Sequence, residues 1–289
     1  MKTIILKAWA KINLTLDVLE KRADGYHNLA SVMQTVGLYD SVSLEKAAKT
    51  TIKTNSPNCP ANETNLAYKA AKRLLTGYSI QQGVAIEIYK NIPIAAGLAG
   101  GSADCAATLH GINELFDLKI PQPKLLQIAA ELGADVPFCL LGGTQLAEGT
   151  GTKLTELPKH PNVVIVLAYL PIKMPLDKTA KIYQELDKSF FPKERQTETV
   201  VNALKLGNIS KIAENLSNNF TPVVSSMYME VLELIAAFRQ QDSLGVNMTG
   251  SGPTVFAYFE TEKAAFKAVK KVSQSFPNCV MYCVNPRNI

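Results

Sequence analysis

Pro93-Ile94-Ala95-Ala96-Gly97-Leu98-Ala99-Gly100-Gly101-Ser102-Ala103-Asp104-Cys105-Ala106-Ala107 is a glycine-rich loop that runs straight into an alanine-rich helical pattern. The glycines and alanines ahead of Ser102 leave so little bulk that backbone N–H groups can approach a polyanion and the chain can take positive φ. Ser102 is the expected N-cap, and Ala103, Ala106, Ala107, Ile112, Leu115 and Phe116 recur behind it at helical spacing. A helix that starts at such a loop offers unpaired N–H donors and the positive end of its dipole to a di- or triphosphate. No Gly-Lys-Ser/Thr follows four spacer residues, so this is not a Walker A loop, nor is it a Gly-x-Gly-x-x-Gly dinucleotide turn. A tight strand-to-helix turn whose glycines only permit close approach is the alternative reading.

Working outward, 289 residues suggest two domains or lobes, and a 47% hydrophobic fraction is ample for a core. Turns at Gly142-Gly143-Thr144 and Glu148–Lys153 place the expected boundary after residue 155, giving domains 1–155 and 156–289. A formal net charge of +5 suits an anionic partner, but the lysines are spread along the chain, which argues against nucleic acid. Five cysteines without a Cys-x-x-Cys pair argue against a disulfide framework or zinc and fit free thiols in a reducing cytosol. The longest apolar run, Val163 to Leu170, is far short of the ~20 residues that span a bilayer, and the N-terminal stretch lacks a signal-peptide core, so a cytoplasmic protein without membrane contact is expected.

The patterns along the chain are mixed. Thr3 to Leu6 and Ile12 to Val18 read as strands with Ala10-Lys11 between them. Alternation puts Lys11, Asn13, Thr15 and Asp17 on one face, opposite Ile12, Leu14, Leu16 and Val18; a solvated face of a half-buried strand is the plain expectation. Lys21 to Asn28 is a turn in which Tyr26 and His27 offer a ring to stack on a base and an imidazole for its edge. Short strands follow over Met33–Leu44 and Thr50–Thr54, then a helix over Asn65–Leu75 and a strand over Val84–Tyr89. Leu125 to Leu132 predicts a second helix after the loop helix. Asp135 follows it in a turn before Pro137, a carboxylate that calls for a facing cation. Further on come a buried strand over 163–170, a loop leading into a helix near Thr179–Tyr183, a polar stretch over 190–225 with helical fragments, and a packed helix over Val231–Phe238. A second glycine cluster, Met248 to Thr254, precedes a strand over Val255–Phe259; a helix over Ala264–Val272 and a strand over Cys279–Val284 close the chain. Strands precede helices without a βαβ repeat, which predicts an α+β class.

Ala10-Lys11-Ile12-Asn13-Leu14, the Pro93 to Ala107 loop and Gly250-Ser251-Gly252-Pro253 together resemble the GHMP kinase superfamily of small-molecule kinases. Arg22 to His27 and Gly133-Ala134-Asp135-Val136-Pro137 narrow the resemblance to its members that phosphorylate a cytidine-diphosphate-linked methylerythritol in the non-mevalonate route to isoprenoids. The resemblance implies an N-terminal ATP-binding lobe like a ribosomal S5 domain 2, a C-terminal α+β lobe, and a cleft between them. It also implies ATP with Mg²⁺, transfer of the γ-phosphoryl group to the 2-hydroxyl of that substrate, a cytoplasmic enzyme and a possible homodimer. By position, Asp135 would be the catalytic base and Lys11 its cationic partner. Pro93, Ile94, Ala95, Ala96, Gly97, Leu98, Ala99, Gly100, Gly101, Ser102 and Ala103 would cradle the triphosphate, with Ser102 also near the metal, and Leu66 and Lys90 would lie near adenine. Tyr26 and Tyr183 would sandwich cytosine, His27 would meet its edge, and Asn13, Thr179, Gly250 and Ser251 would hold the diphosphate or methylerythritol end.

The chain departs from that pattern at two places. Trp9 stands where a proline often precedes Ala-Lys, and Asp177-Lys178-Thr179 stands where Ser-Thr commonly lies four residues before an aromatic. Two other functions compete: a GHMP kinase for mevalonate or homoserine, against which the Gly25-Tyr26-His27 turn speaks, and a non-catalytic module binding RNA, which has no chemical use for both Lys11 and Asp135.

Overall fold

The computed structural model describes residues 2–175, 177–188 and 195–288. In chain order the elements begin with β1 (Thr3–Asn13), β2 (Thr15–Lys21), β3 (His27–Ala47), β4 (Thr51–Thr54), α1 (Leu66–Gly77), β5 (Gly83–Tyr89) and α2 (Gly100–Leu115). Next are α3 (Gln122–Leu132), α4 (Val136–Leu141), β6 (Thr144–Gly149), β7 (Lys153–Glu156) and β8 (Val164–Tyr169). The remainder is α5 (Lys178–Lys188), α6 (Thr197–Lys205), α7 (Ile209–Glu214), β9 (Ser217–Asn218), α8 (Thr221–Met227), α9 (Met229–Arg239), β10 (Gly245–Met248), β11 (Val255–Phe259), α10 (Glu262–Ser275) and β12 (Val280–Val284). Part of the polar stretch expected over 190–225, residues 190–194, lies outside the described residues.

Packing sorts the chain into two units, and neither is one continuous piece. The first takes the residues up to Ala10 with Leu38–Ile94 and Ala99–Gly142. The second takes Lys11–Gly37, Ala95–Leu98 and everything from Gly143 onward. This division differs from a single cut after residue 155, because β1 and β3 each give residues to both units.

In the first unit β5 pairs antiparallel with the Ser41–Ala47 half of β3 and parallel with β4. Ala67, Ala70, Ala71, Leu74 and Leu75 of α1 are buried at helical spacing, with the Asn65 side chain accepting from the Ala67 N–H at 2.8 Å as the N-cap. Helix α2 lies close over this core because Gly111 has no side chain: a Cβ there would stand 2.3 Å from Leu44 and 2.6 Å from Leu6. In the second unit β2 and β6 pair antiparallel with the first half of β3, and β6 turns back as β7. A separate antiparallel sheet has the order β10-β11-β8-β12, with α9 and α10 supplying buried Leu234, Ile235, Phe238, Ala265 and Val272 to its core.

Several expectations change. Lys11 is not in a connection, since β1 runs unbroken through it to Asn13 and the break falls at Leu14. Residues Thr144–Gly149 and Lys153–Glu156 are a hairpin rather than only turns, their ladder satisfied by β3. The largest correction concerns the polar side of residues 11–17: Lys11, Asn13, Thr15 and Asp17 are all buried, 0–4% exposed. The residues that cover them come from far along the chain. The Asn13 N–H donates to Thr249 Oγ1 (2.9 Å), Thr15 Oγ1 meets Thr197 Oγ1 (2.8 Å), and Asp17 Oδ2 accepts from the Thr197 N–H (2.9 Å).

Candidate active site

The glycine loop enters α2 through Ala99, which takes a left-handed φ of 56° and caps nothing with its side chain. Ser102 is therefore not the N-cap; it sits inside the first turn behind Gly100 and Gly101. The first N–H groups of a helix have no intrahelical partner, and here no side chain at the N-cap position bonds them. A Cβ on Gly100 would meet Ile92 at 3.0 Å and the Lys90 ammonium at 3.2 Å, whereas one on Gly101 would meet only Leu66, at 4.0 Å. Gly100 thus faces protein and Gly101 faces open space, with Leu66 beside it.

Below this helix start lies a buried ion cluster. Lys90 Nζ donates to Asp40 and, at 2.7 Å, to Asp104 Oδ2, and all three side chains are nearly inaccessible. Asp40 Oδ1 also accepts from the N–H groups of Asn91 (2.6 Å) and Ile92 (2.8 Å), so the chain entering the loop is pinned to β3. Burial would lower the Lys90 pKa, but the two carboxylates outweigh it and the group is held above the ordinary lysine range. Burial, with Asp40 adding to it and Lys90 opposing, raises Asp104 to about 7. The Lys90 side chain is thereby tied into the base of the loop.

The other part of the loop, Ala95–Leu98, packs on the second glycine turn. Gly97 has φ +82°, and a Cβ there would stand 2.4 Å from the Thr249 carbonyl oxygen; Gly250 has φ +55°, and a Cβ there would stand 2.9 Å from the Gly97 carbonyl oxygen. The two turns touch backbone to backbone, which only glycine permits. Asn218 fixes the second turn by donating to the carbonyls of Met248 (3.0 Å) and Gly250 (2.9 Å). Lys11 joins the assembly: its N–H donates to the Leu98 carbonyl (3.1 Å), and its ammonium donates to Asn13 Oδ1 (2.7 Å). Asn13 in turn donates to Ser31 Oγ (2.8 Å), so a polar relay aims the lysine.

Helix α5 brings the remaining expected residues together. Thr179 Oγ1 donates to Ser251 Oγ (3.1 Å) on the second turn. One turn further, Tyr183 stacks on His27 (centroids 4.8 Å apart, 12° between planes) and meets Phe220 edge-on. Another turn on, Asp187 takes His27 Nε2 at 2.7 Å and Lys21 Nζ at 2.6 Å, and Lys21 foremost with His27 holds its carboxyl below the usual range. Tyr26 lies outside this stack, 67% exposed. Residues 179, 183 and 187 share a helix face because they are four apart, and that spacing was the signal that could have found Asp187. Lys178 and Asn218 were also missed: a lysine at a helix start reads as surface, and Asn218 lies in a polar stretch with nothing to single it out.

Asp135 is half-buried at the N-cap position of α4, a helix the sequence reading lacked because Val136–Leu141 is apolar on all sides and shows no period. The carboxylate therefore sits at the favourable end of a helix, not merely beyond an unfavourable one.

Within the second unit two glycine turns meet backbone to backbone beside a buried lysine aimed by a relay, and within the first a helix begins at a glycine pair and an acid stands at a second helix start, features that each fit a small-molecule kinase of the GHMP kind. The GHMP kinases N terminal domain family matches residues 65–143, and the GHMP kinases C terminal family matches residues 200–278. Among curated relatives, the 4-diphosphocytidyl-2-C-methyl-D-erythritol kinase of Caldicellulosiruptor saccharolyticus is 45% identical over 271 residues, 93% of this chain and 92% of that one. The enzyme of the same name from Acetivibrio thermocellus is 42% identical over 96% of this chain and 98% of its own. A crystal structure of 4-(cytidine 5'-diphospho)-2C-methyl-D-erythritol kinase superposes with a TM-score of 0.81 at 29% identity, covering 98% of this chain and 99% of that one. The chain belongs to the 4-diphosphocytidyl-2-C-methyl-D-erythritol kinase family of the GHMP kinases, which use ATP as phosphoryl donor.

Proposed function

We propose that this protein transfers the γ-phosphoryl group of ATP to the 2-hydroxyl of 4-diphosphocytidyl-2-C-methyl-D-erythritol, giving the 2-phosphate and ADP in the non-mevalonate isoprenoid pathway. What carries the reading is α5, which presents Thr179 against Ser251 of a phosphate turn and, one turn along, Tyr183 against His27. A single helix face thus offers a hydroxyl for a diphosphate and a ring system for a base. Tyr26 covers the base from outside, and His27, with Nε2 engaged by Asp187, has Nδ1 for its edge.

In this reading residues 93–103 hold the triphosphate, with Leu66 on the adenine side and Lys90 acting through the buried cluster that fixes the loop. Asp135 takes the proton of the acceptor hydroxyl as its oxygen bonds to the γ-phosphorus and the bond to the β-phosphate oxygen breaks. Lys11, aimed by Asn13, neutralises charge at the reacting oxygen. Most of the acceleration comes from alignment and electrostatics, because a loose transition state needs little covalent help. Mg²⁺ would arrive with the ATP phosphates. Among the described residues no three His, Cys, Asp or Glu side chains group to hold a metal, which suits an ion carried mainly by phosphates with Ser102 beside it.

Purified protein is expected to release ADP with the cytidylylated substrate and not with mevalonate or homoserine. The reverse preference overturns the assignment.

A further inference from the structure

Lys178, the first residue of α5, is buried, and its ammonium donates to the carbonyl oxygens of Ala95 in the glycine loop and Gly252 in the second glycine turn. No carboxylate pairs with it among the described residues. The charged group whose field reaches it is Lys11, from β1. The loop and the second turn bring no titratable side chain to it, α8 carries no charged residue, and neighbouring Asp177 directs its exposed carboxylate to Lys181 at 3.1 Å. Two carbonyls satisfy hydrogen-bond geometry, but they do not neutralise a buried cation.

We propose that Lys178 is an anion-binding and positioning residue, whose charge is completed by a phosphate of the nucleoside diphosphate or triphosphate that lies at the two glycine turns. The proposal rests on the kinase reading for the location of that phosphate, and it goes beyond that reading in giving a role to Lys178. The residue joins three parts of the second unit: the loop, the turn that backs it, and the helix bearing Thr179 and Tyr183. It therefore couples the backbone that meets phosphate to the helix face that meets the base.

The sign of the pH effect follows from chemistry. Burial first, and the charge of Lys11 second, push Lys178 down to about 8, so above that pH the empty site holds a neutral amine. A bound phosphate favours the ammonium, so binding above pH 8 must draw in a proton and weaken as pH rises.

The test is calorimetric binding of ADP and of CDP at pH 8.5, in buffers of different ionisation enthalpy, to wild-type protein and to Lys178→Gln and Lys178→Arg. Both probes are then fully ionised, since a terminal phosphate titrates near about 6. Wild-type protein is expected to take up a fraction of a proton on binding at least one probe. Lys178→Gln should lose that uptake and bind roughly ten- to hundredfold more weakly, the worth of a charge-assisted bond. Lys178→Arg, which stays charged, should bind without uptake. Uptake with ADP alone identifies a donor phosphate and uptake with CDP alone an acceptor phosphate; either supports the role. No uptake by the wild-type protein, equal uptake by Lys178→Gln, or no binding of either probe overturns it. The wild-type measurement stands even where a variant fails to fold. Proton uptake with ADP in a protein that does not turn over the cytidine substrate would retain Lys178 while removing the proposed acceptor.

Discussion

Gly97→Ala tests whether the two glycine turns meet because their backbones must touch. The substitution carries two separable penalties. Alanine at φ +82° costs about 1–2 kcal/mol of backbone strain. Its Cβ would also stand 2.4 Å from the Thr249 carbonyl oxygen, about 1 Å inside an ordinary contact of ~3.5 Å, and 3.2 Å from the Gly252 nitrogen. Neither neighbour is a side-chain tip that can swing away, so the turns must part, adding roughly 1–3 kcal/mol of overpacking. Gly149→Ala is the control: φ there is +65°, but nothing lies within 4 Å of the added carbon, so only the strain remains. Thermal unfolding should show Gly97→Ala lower by roughly 4–20 °C and Gly149→Ala by roughly 2–8 °C, the former always the larger, at about 2–4 °C per kcal/mol for a large domain. Activity should separate them further. A loop displaced by about 1 Å should lose about a hundredfold in kcat/KM, while Gly149→Ala should keep wild-type turnover. Equal melting temperatures for the two variants, with turnover retained in Gly97→Ala, would refute the contact between the turns.

Three further outcomes follow from the site. Asp135→Asn should lower kcat by about 10²–10⁴ and leave the ADP dissociation constant within twofold, the range of a lost general base; wild-type turnover removes Asp135 from the reaction. Tyr183→Ala should raise KM for the cytidine substrate about tenfold, the cost of one stacked base, and change KM for ATP little; an unchanged acceptor KM means α5 does not meet the base. Asp104, raised to about 7 chiefly by burial, is still protonated in the folded protein where the unfolded chain has already ionised. Between about pH 4 and 7 unfolding therefore releases a proton, and its contribution to stability falls as pH rises. The melting-temperature deficit of Asp104→Asn should accordingly be larger at pH 5 than at pH 8, and a deficit that grows with pH contradicts this.

The sequence made the loop, its helix and most strands readable because each is a local pattern: small residues before an alanine-rich period, or a period of two. It did not reveal which side of β1 and β2 faces water. Alternation in Lys11, Asn13, Thr15 and Asp17 is equally compatible with solvent and with partners, and the partners, Thr197 and Thr249, lie some two hundred residues away. The same distance hid the contact of Gly97 with Thr249 and the bridge from Lys178 to Ala95 and Gly252. Helix α4 escaped for another reason: six residues, nearly all apolar, carry no amphipathic stripe. The resemblance drew attention to Lys178 only as a departure from Ser-Thr, since nothing local distinguishes a buried cation from a solvated one.

Where acceptor choice resides can be argued from what the fold does not decide. A homoserine kinase from Cytophaga hutchinsonii superposes on this chain with a TM-score of 0.77 at 21% identity, a likeness of fold alone. In the proposed reading the glycine turns would meet phosphate through main-chain groups, and main-chain groups discriminate phosphate from other chemistry but not one alcohol from another. Discrimination must then come from side chains such as those on α5 and the 26–27 turn. On α5 the hydroxyl of Thr179, the ring of Tyr183 and the carboxylate of Asp187 are successive turns of one face, with His27 clamped between the last two. Loss of Asp187 would free the His27 ring to rotate without touching the phosphate turn. Asp187→Asn should therefore weaken selection of cytidine over other bases while sparing affinity for ADP, and competition binding of CDP against UDP reads that difference directly. If Asp187→Asn kept wild-type discrimination, His27 would be positioned by the Tyr183 stack alone, and the carboxylate would be no more than a partner for Lys21.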